Sequence, residues 1–252
     1  NPSLVGSEMC IRDRLYTEEP LNVGSSVFLI KNSYHYLSKV LRAKENQKIE
    51  LFDNSGFNYF GYVKGVTNKS YEIFIEKKIF HEKKDSNIEI AFSVCKNPCS
   101  DLIVQKLTEL GIDSIQPIIS KNSIFNQKKI DSEKKLSHWK NISISSSEQS
   151  ERNYLPNIKK IVSYQDYVEN CSHDQKIILD TKSQKMLPSI YDNLANSLSI
   201  LVGPEGDFTD EEYLYAKQSD FSSASLGDNI LRVETAAISA FSYIKIINNS
   251  DN

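Results

Sequence analysis

Arginine is scarce in this chain: five arginines stand against 25 lysines among 252 residues. Where lysine is the default cation, an arginine is there for its planar, permanently charged fork, so each one becomes a candidate for a specific contact. Long hydrophobic runs are absent too. None approaches the roughly 18 residues that a membrane helix needs, and no membrane partner is expected. The first 14 residues lack a basic start followed by an apolar stretch, so no secretory signal is expected, and a cytoplasmic protein is. Cysteine is limited to Cys10, Cys95, Cys99 and Cys171. Only one close pair exists where a zinc site shows two, and a disulfide framework is not expected at this size. The four histidines are scattered without metal-ligand spacing, so no metal is expected. There is no excess of positive charge: the net charge is −3, which by itself argues against a nucleic-acid binder. Its distribution is uneven. Residues 14–84 hold 12 Lys+Arg and 8 Asp+Glu, a difference of +4, so the rest is net acidic. A basic N-terminal segment can contact phosphate while the remainder does not. On charge alone, an ordinary solvated surface explains it equally well, and no DNA partner is expected.

What is present describes a globular protein, with 39% hydrophobic and 25% charged residues in a chain long enough for one large or two ordinary domains. Residues 1–13 show no periodicity and read as a disordered or extraneous tail. From 14 to 80 the pattern is short strands and turns. Strands are expected at Ser26–Ile30, Lys48–Phe52, Asn58–Val63 and Ser70–Ile75. One short helix over Ser33–Arg42 places Tyr34, Leu37, Val40 and Leu41 on one face. Strands at such spacing suggest a small β-barrel. The charged stretch 81–87 reads as a linker, with a second domain over 81–252. There strands alternate with helices. Ile88–Val94, Ser114–Ile119, Lys176–Asp180 and Leu198–Val202 read as strands, with a brief one at Ala224–Leu226. Asp101–Leu110, stopped by Gly111, Ser132–Ser150 and Glu234–Ile247 read as helices. Thr209–Glu212 is a capping box opening another. This alternation argues for an α/β domain with a mainly parallel sheet.

Two loops stand out in the second half. Leu201-Val-Gly-Pro-Glu-Gly-Asp-Phe208 follows a buried strand and precedes a helix, as does Ser225-Leu-Gly-Asp-Asn-Ile-Leu-Arg-Val-Glu-Thr-Ala236; 16 residues separate them. Such loops expose backbone N–H groups at a helix N-terminus and let a ligand approach the backbone at glycine. The first lacks the GK[ST] ending of a phosphate loop and the G-x-G-x-x-G spacing, which disfavours a nucleotide triphosphatase. Taken singly, each loop is equally well read as a plain strand-to-helix turn. Taken alone, Arg232 and Glu234 are better read as an ion pair at a helix start. Glu148-Gln-Ser-Glu-Arg152 reads singly as a solvated helix end.

Together these segments resemble the RsmE-type family, the 16S ribosomal RNA uridine-N3 methyltransferases of the SPOUT superfamily. Arg14-Leu-Tyr16 and His35-Tyr-Leu-Ser-Lys-Val-Leu-Arg42 resemble its N-terminal domain. Gln105-Lys-Leu-Thr-Glu-Leu-Gly111, Glu148–Arg152 with Leu155-Pro156, and the two loops resemble its catalytic domain. With the two loops counted as one paired signature, these are five ordered matches from Arg14 to the C-terminus, and together they are specific where any one is weak.

The resemblance implies a PUA-like RNA-binding β-barrel over 14–80, followed by a trefoil-knotted α/β domain that binds S-adenosylmethionine. It implies a homodimer acting on 16S ribosomal RNA or the small ribosomal subunit. Leu179, Leu201, Gly203, Glu205, Gly206, Leu226, Gly227, Ile230 and Leu231 would hold the cofactor. Arg232, Glu234 and Arg152 would be catalytic, and Arg14, Lys39 and Arg42 would contact RNA. Uridine N3 carries a proton that must leave, so a cation or a base is needed. Arg232 suits the first role, Glu234 can orient it or take the proton, and Arg152 suits a phosphate or the partner subunit's site. The chain departs from the family pattern at Asp207, usually glycine, at His138, often arginine, and at Ser147, commonly alanine. A methyltransferase of another RNA, such as transfer RNA, and a non-catalytic RNA-binding dimer remain as alternatives.

Overall fold

The computed structural model describes residues 14–83, 86–125 and 131–250. The tail reading of residues 1–13 falls outside these. The chain divides into two compact units. One runs up to Lys83 and also takes in Glu151–Tyr154; the other comprises Lys84–Ser150 and Leu155–Asn252.

In the first unit the elements are β1 (Arg14–Tyr16), β2 (Ser26–Ile30), α1 (Lys31–His35), β3 (Lys48–Phe52), β4 (Phe57–Val66) and β5 (Ser70–Phe80). The strands form one sheet in the order β1-β3-β4-β5-β2, with β1 parallel to β3 and the other pairs antiparallel. Alternation drives it: Tyr71, Ile73 and Ile75 turn inward onto Val27, Leu29 and Leu51, while the residues between them face outward. The register of β4 against β5 shifts between Phe60 and Gly61 and again between Val63 and Gly65. Such bulges bend and twist a sheet. At Gly61 a Cβ would lie 2.1 Å from the Phe74 carbonyl oxygen, so the strands can approach only with glycine there.

Two sequence expectations are corrected in this unit. The helix expected over Ser33–Arg42 is α1 followed by a π-helical turn, Tyr36–Leu41, closed by Arg42 at φ 50°. A π turn closes on the fifth residue, not the fourth, so it holds more residues per turn. Val40 therefore rotates outward to 65% exposure while Leu37 stays fully buried. Arg14, expected to contact RNA, is only 5% exposed. Its Nε donates to Glu50 Oε1 at 3.0 Å, a terminal nitrogen donates to Asn58 Oδ1 at 3.2 Å, and another bond reaches Asn153. Its guanidinium carbon sits 3.9 Å from the centre of the Phe52 ring. A guanidinium so enclosed offers nothing to a phosphate. It ties the 151–154 segment to the unit instead.

The second unit contains β6 (Ile88–Ser93), α2 (Cys99–Leu110), β7 (Ser114–Ile119), α3 (Ser132–Gln149), β8 (Asn157–Ile158), β9 (Val162–Ser163) and α4 (Tyr164–Asn170). It continues with β10 (Gln175–Leu179), α5 (Leu187–Ile190), β11 (Leu198–Val202), α6 (Asp210–Gln218), β12 (Ser222–Ala224) and α7 (Val233–Ser250). All pairings are parallel, in the order β12-β10-β11-β6-β7-β8, with β9 also on β7. Helices cover both faces, as a parallel sheet requires. On one face Leu198, Ile200 and Val202 of β11 pack with Ile103 of α2, Trp139 of α3 and Phe241 of α7. On the other, Leu201 and Ala91 pack with Tyr164 and Val168 of α4 and Ala216 of α6.

Two differences bear on the site. The brief strand is Ser222–Ala224, two residues earlier than read, because Leu226 and Gly227, the latter at φ +122°, already belong to the loop. Cys95 and Cys99 are joined as a disulfide, against the expectation of none. A turn in which the Cys99 amide donates to the Lys96 carbonyl at 2.9 Å brings the start of α2 back to Cys95. Cys171 is free and buried.

Candidate active site

In an open parallel sheet, ligands bind beyond the carboxyl ends of the strands. Here β10, β11 and β12 end at Leu179, Val202 and Ala224, and all three residues line one cavity of about 770 Å³. That volume lies within the ~300–1,000 Å³ typical of cofactor pockets. The segments that follow the strands supply much of the wall: Asp180 and Thr181, then Gly203–Asp207, then Ser225–Gly227 with Asn229–Arg232. The N-terminal ends of α2 and α7 complete it through Pro98, Cys99 and Leu102, and through Val233, Glu234 and Ala236.

The first loop is clamped from two sides. Asn122 Nδ2 donates to the carbonyls of Gly206 at 3.2 Å and Asp207 at 2.9 Å. Behind the loop, Thr209 and Glu212 form the capping box of α6. Glu212 also accepts the Lys121 amide at 2.8 Å, so the 121–122 segment grips both loop and helix. Asp207 stands at φ 61°, in the left-handed region that favours glycine. Aspartate is among the few other residues tolerated there. Its Oδ1 accepts from the Phe208 amide at 2.8 Å and from the Tyr213 hydroxyl at 2.6 Å. The Tyr213 hydroxyl also lies 3.2 Å from the Leu179 carbonyl, linking the loop to the end of β10. Burial, and then its bond to Asp207, raise the phenol pKa far above the ordinary tyrosine range, so it stays a donor. The aspartate therefore satisfies locally the backbone geometry that a glycine would adopt freely, and it does so with its carboxylate turned to Phe208 and Tyr213.

The second loop is fastened at its base. The Ser225 amide donates to the Lys185 carbonyl at 2.8 Å, and the Leu187 amide donates to the Ser225 carbonyl at 2.9 Å. Beyond it the chain is open: Ile230 is 88% exposed and Arg232 is exposed. Among the described residues no ion pair holds the Arg232 guanidinium, so the reading of Arg232 and Glu234 as a helix-start ion pair is not what the structure forms. Glu234, half-buried, sits in the first turn of α7, where the helix dipole favours its negative charge.

Residues 82–245 match the family description "RNA methyltransferase domain", and residues 29–76 match "RNA methyltransferase PUA domain". The ribosomal RNA small subunit methyltransferase E of Buchnera aphidicola subsp. Schizaphis graminum is 32% identical over 234 residues, covering 92% of this chain and 95% of the relative. The chain belongs to the ribosomal RNA small subunit methyltransferase E family. A member of that family from Neisseria gonorrhoeae, solved bound to S-adenosylmethionine, is 30% identical with a TM-score of 0.85, covering 93% of this chain and 97% of that one. A methyltransferase from Legionella pneumophila, solved with the same cofactor, is 27% identical with a TM-score of 0.88 and the same coverage. The two-unit architecture is thus that of a SPOUT-class α/β methyltransferase with a PUA-like N-terminal domain.

Of the cofactor residues named from the family resemblance, Leu179, Gly203, Glu205, Gly206, Leu226, Gly227, Ile230 and Leu231 line the cavity, together with Arg232 and Glu234. Leu201 does not. Successive strand residues face opposite sides of a sheet, and Leu201 packs under α4 and α6 while Val202 takes the cavity position. Arg152 is not among the lining residues and belongs to the Glu151–Tyr154 segment of the first unit. Lys39 and Arg42 are exposed on that unit. Sequence reasoning missed Asp180 and Thr181, although the end of a buried parallel strand is itself a signal for a binding position. It also missed Asn122 and the α2 residues Cys99 and Leu102, whose role depends on folding and leaves no local pattern. Cys95, Cys99 and Glu205 bring three potential ligand atoms within 4.8 Å of one another. Metals bind thiolates, and the two sulfurs here are bonded to each other.

Proposed function

We propose that this chain methylates N3 of a specific uridine in 16S ribosomal RNA, with S-adenosylmethionine as the methyl donor and the small ribosomal subunit or its RNA as substrate. The observation that carries this reading is the convergence of both glycine loops and the exposed Arg232 on one cavity at the carboxyl ends of β10, β11 and β12. The lining suits the cofactor. Leu102, Leu179, Val202 and Leu226 offer apolar surface to an adenine ring, and loop backbone around Gly203, Gly206 and Gly227 offers polar groups at close approach.

When bound, the cofactor supplies a methyl group already activated on a sulfonium. The chain's task is then alignment and charge. Arg232, unpaired among the described residues and set where the second loop meets α7, favours the uridine base as N3 loses its proton and negative charge spreads to O2 and O4. Glu234, in the first turn of α7 just after it, orients Arg232 once the substrate is bound or accepts the proton. Holding donor and acceptor in line turns a bimolecular transfer into an effectively unimolecular one, which is the main help the protein gives.

Exposed Lys39 and Arg42 on the PUA-like unit are the proposed RNA contacts, and Arg152 is proposed to serve a phosphate or the site of a second subunit. The strand order supports the trefoil knot: after β11 the chain passes beyond β10 to form β12, and α7 then packs on the face it shares with α2. We place the protein in the cytoplasm as a homodimer; no helix among the described residues is long and apolar enough to cross a membrane. The test is incubation with labelled S-adenosylmethionine and small ribosomal subunits or their RNA, followed by nucleoside analysis. Label in N3-methyluridine is expected. Label confined to transfer RNA would move the substrate, and no cofactor binding would leave an RNA-binding protein.

A further inference from the structure

The Cys95–Cys99 bond lies on the wall of the cavity that the proposed mechanism assigns to the cofactor, and that mechanism makes no use of it. Its two sulfurs differ in surroundings. Cys95 is fully buried; the Ser100 hydroxyl lies 3.4 Å from its sulfur, donates to its carbonyl at 2.8 Å and accepts its amide at 3.1 Å. Cys99 is partly exposed, opens α2 and lines the cavity beside Pro98 and Leu102. The Glu205 carboxylate, on the first glycine loop, comes within 4.8 Å of both sulfurs. One sulfur thus faces the cavity and the other faces protein.

We propose that Cys95 and Cys99 form a reversible redox modification site that is reached through the cofactor cavity, so that bound S-adenosylmethionine shields it. The proposal rests on the cofactor reading above. The chemistry is thiol–disulfide exchange with a small cellular thiol of the glutathione class. The attacking thiolate bonds to Cys99 Sγ, the Cys95–Cys99 bond breaks, and Cys95 leaves as a thiolate that takes a proton beside the Ser100 hydroxyl. A second small thiolate then attacks the sulfur of the first, forming the small-molecule disulfide and releasing Cys99 as a thiolate that takes a proton. The balance is one protein disulfide and two small thiols consumed, one protein dithiol and one small-molecule disulfide produced. The reverse reaction reoxidises the pair. Position decides the site of attack: Cys99 is the sulfur that a molecule in the cavity meets. Reduction releases the covalent constraint on the 95–99 turn, which carries part of the cofactor wall, so cofactor occupancy and redox state are linked at one place.

Sequence provides a direct assay. Trypsin cuts after Lys96, between the two cysteines, so their peptides remain together only through the bond. The full chain is oxidised with glutathione disulfide, then exposed to reduced glutathione with and without S-adenosylmethionine. The reaction is quenched with N-ethylmaleimide, and linked and alkylated peptides are followed by mass spectrometry. Calorimetry on the same sample gives the cofactor affinity. At a cofactor concentration about 100 times Kd, only ~1% of the protein has a free cavity, so reduction slows by up to about 100-fold. Cys171, a free thiol buried at the end of α4 and not among the cavity residues, is the internal control for the quench; its N-ethylmaleimide adduct forms to the same extent with and without cofactor. Three results overturn the proposal and leave the cofactor reading intact: measured binding without any slowing, a cofactor-dependent fall in alkylation at Cys171 equal to that at Cys95 and Cys99, or no linked peptides after oxidation. Absence of cofactor binding overturns both.

Discussion

Arg232 is one of five arginines and among the described residues its guanidinium has no ion-pair partner. Charge left free at the rim of a cavity is available to a ligand. If it stabilises the uridine anion only as methyl transfer proceeds, its removal lowers kcat and spares cofactor binding. Arg232→Ala should cut kcat by about 10²–10³-fold, the usual cost of one such donor, with the S-adenosylmethionine Kd essentially unchanged by calorimetry. Near-normal turnover would remove the assignment. Arg232→Lys should recover little, because a point charge does not match a two-oxygen acceptor. Asp207 makes a second residue-scale case. The family resemblance marked it as a departure from glycine, and the left-handed φ of 61° explains why glycine is usual there. Alanine at 207 loses both accepted hydrogen bonds and still meets the ~1–2 kcal/mol penalty of that conformation. Glycine loses the bonds without the penalty. Thermal unfolding should therefore rank wild type at or above Asp207→Gly, with Asp207→Ala below both. An alanine variant as stable as wild type would contradict the account.

At the scale of elements, the sequence was most legible where local chemistry decides. The capping box at Thr209–Glu212, the Gly111 stop of α2 and the alternation in β5 all lie within a few residues of their causes. Thr209→Ala should accordingly destabilise the second unit by about 1 kcal/mol, measured by denaturant unfolding. A larger loss would show that Glu212, which also holds the Lys121 amide, had been freed from both partners. Legibility failed where tertiary packing decides. The face of Leu201 depends on which side of β11 is cut open by the loop ends, and Leu198-Ser-Ile-Leu-Val202 is buried on both faces, so its pattern does not tell them apart. The π turn at Tyr36–Leu41, the return of 151–154 to the first unit and the grip of Asn122 on Gly206 likewise have causes far away in sequence. The first glycine loop is a test of tight local packing. A Cβ at Gly203 would come within 3.3 Å of the Phe208 ring, so a branched side chain must displace that ring or protrude into the cavity. Gly203→Val should weaken cofactor binding by more than about tenfold, a loss of over 1.4 kcal/mol, while circular dichroism keeps its native shape. Unchanged affinity would count against the loop as a cofactor wall.

At the scale of the whole molecule, Arg152 and Arg232 are both proposed to serve one reaction. Arg152 is not among the residues lining the cavity and belongs to the first unit. If the active form is a twofold dimer with each site assembled from both copies, the two arginines of one site come from different chains. Arg152→Ala and Arg232→Ala would each be inactive as pure dimers, since each damages both sites. Mixing them and allowing exchange changes the outcome. Random pairing makes about half of the dimers mixed, and in a twofold dimer each mixed pair concentrates both defects in one site and leaves the other whole. Activity should then return to about one quarter of wild type in an equimolar mixture, from none in either parent. Sites built within single chains give no return at any mixing ratio, because each chain then carries its own defect. The size of the recovery therefore tests shared sites directly.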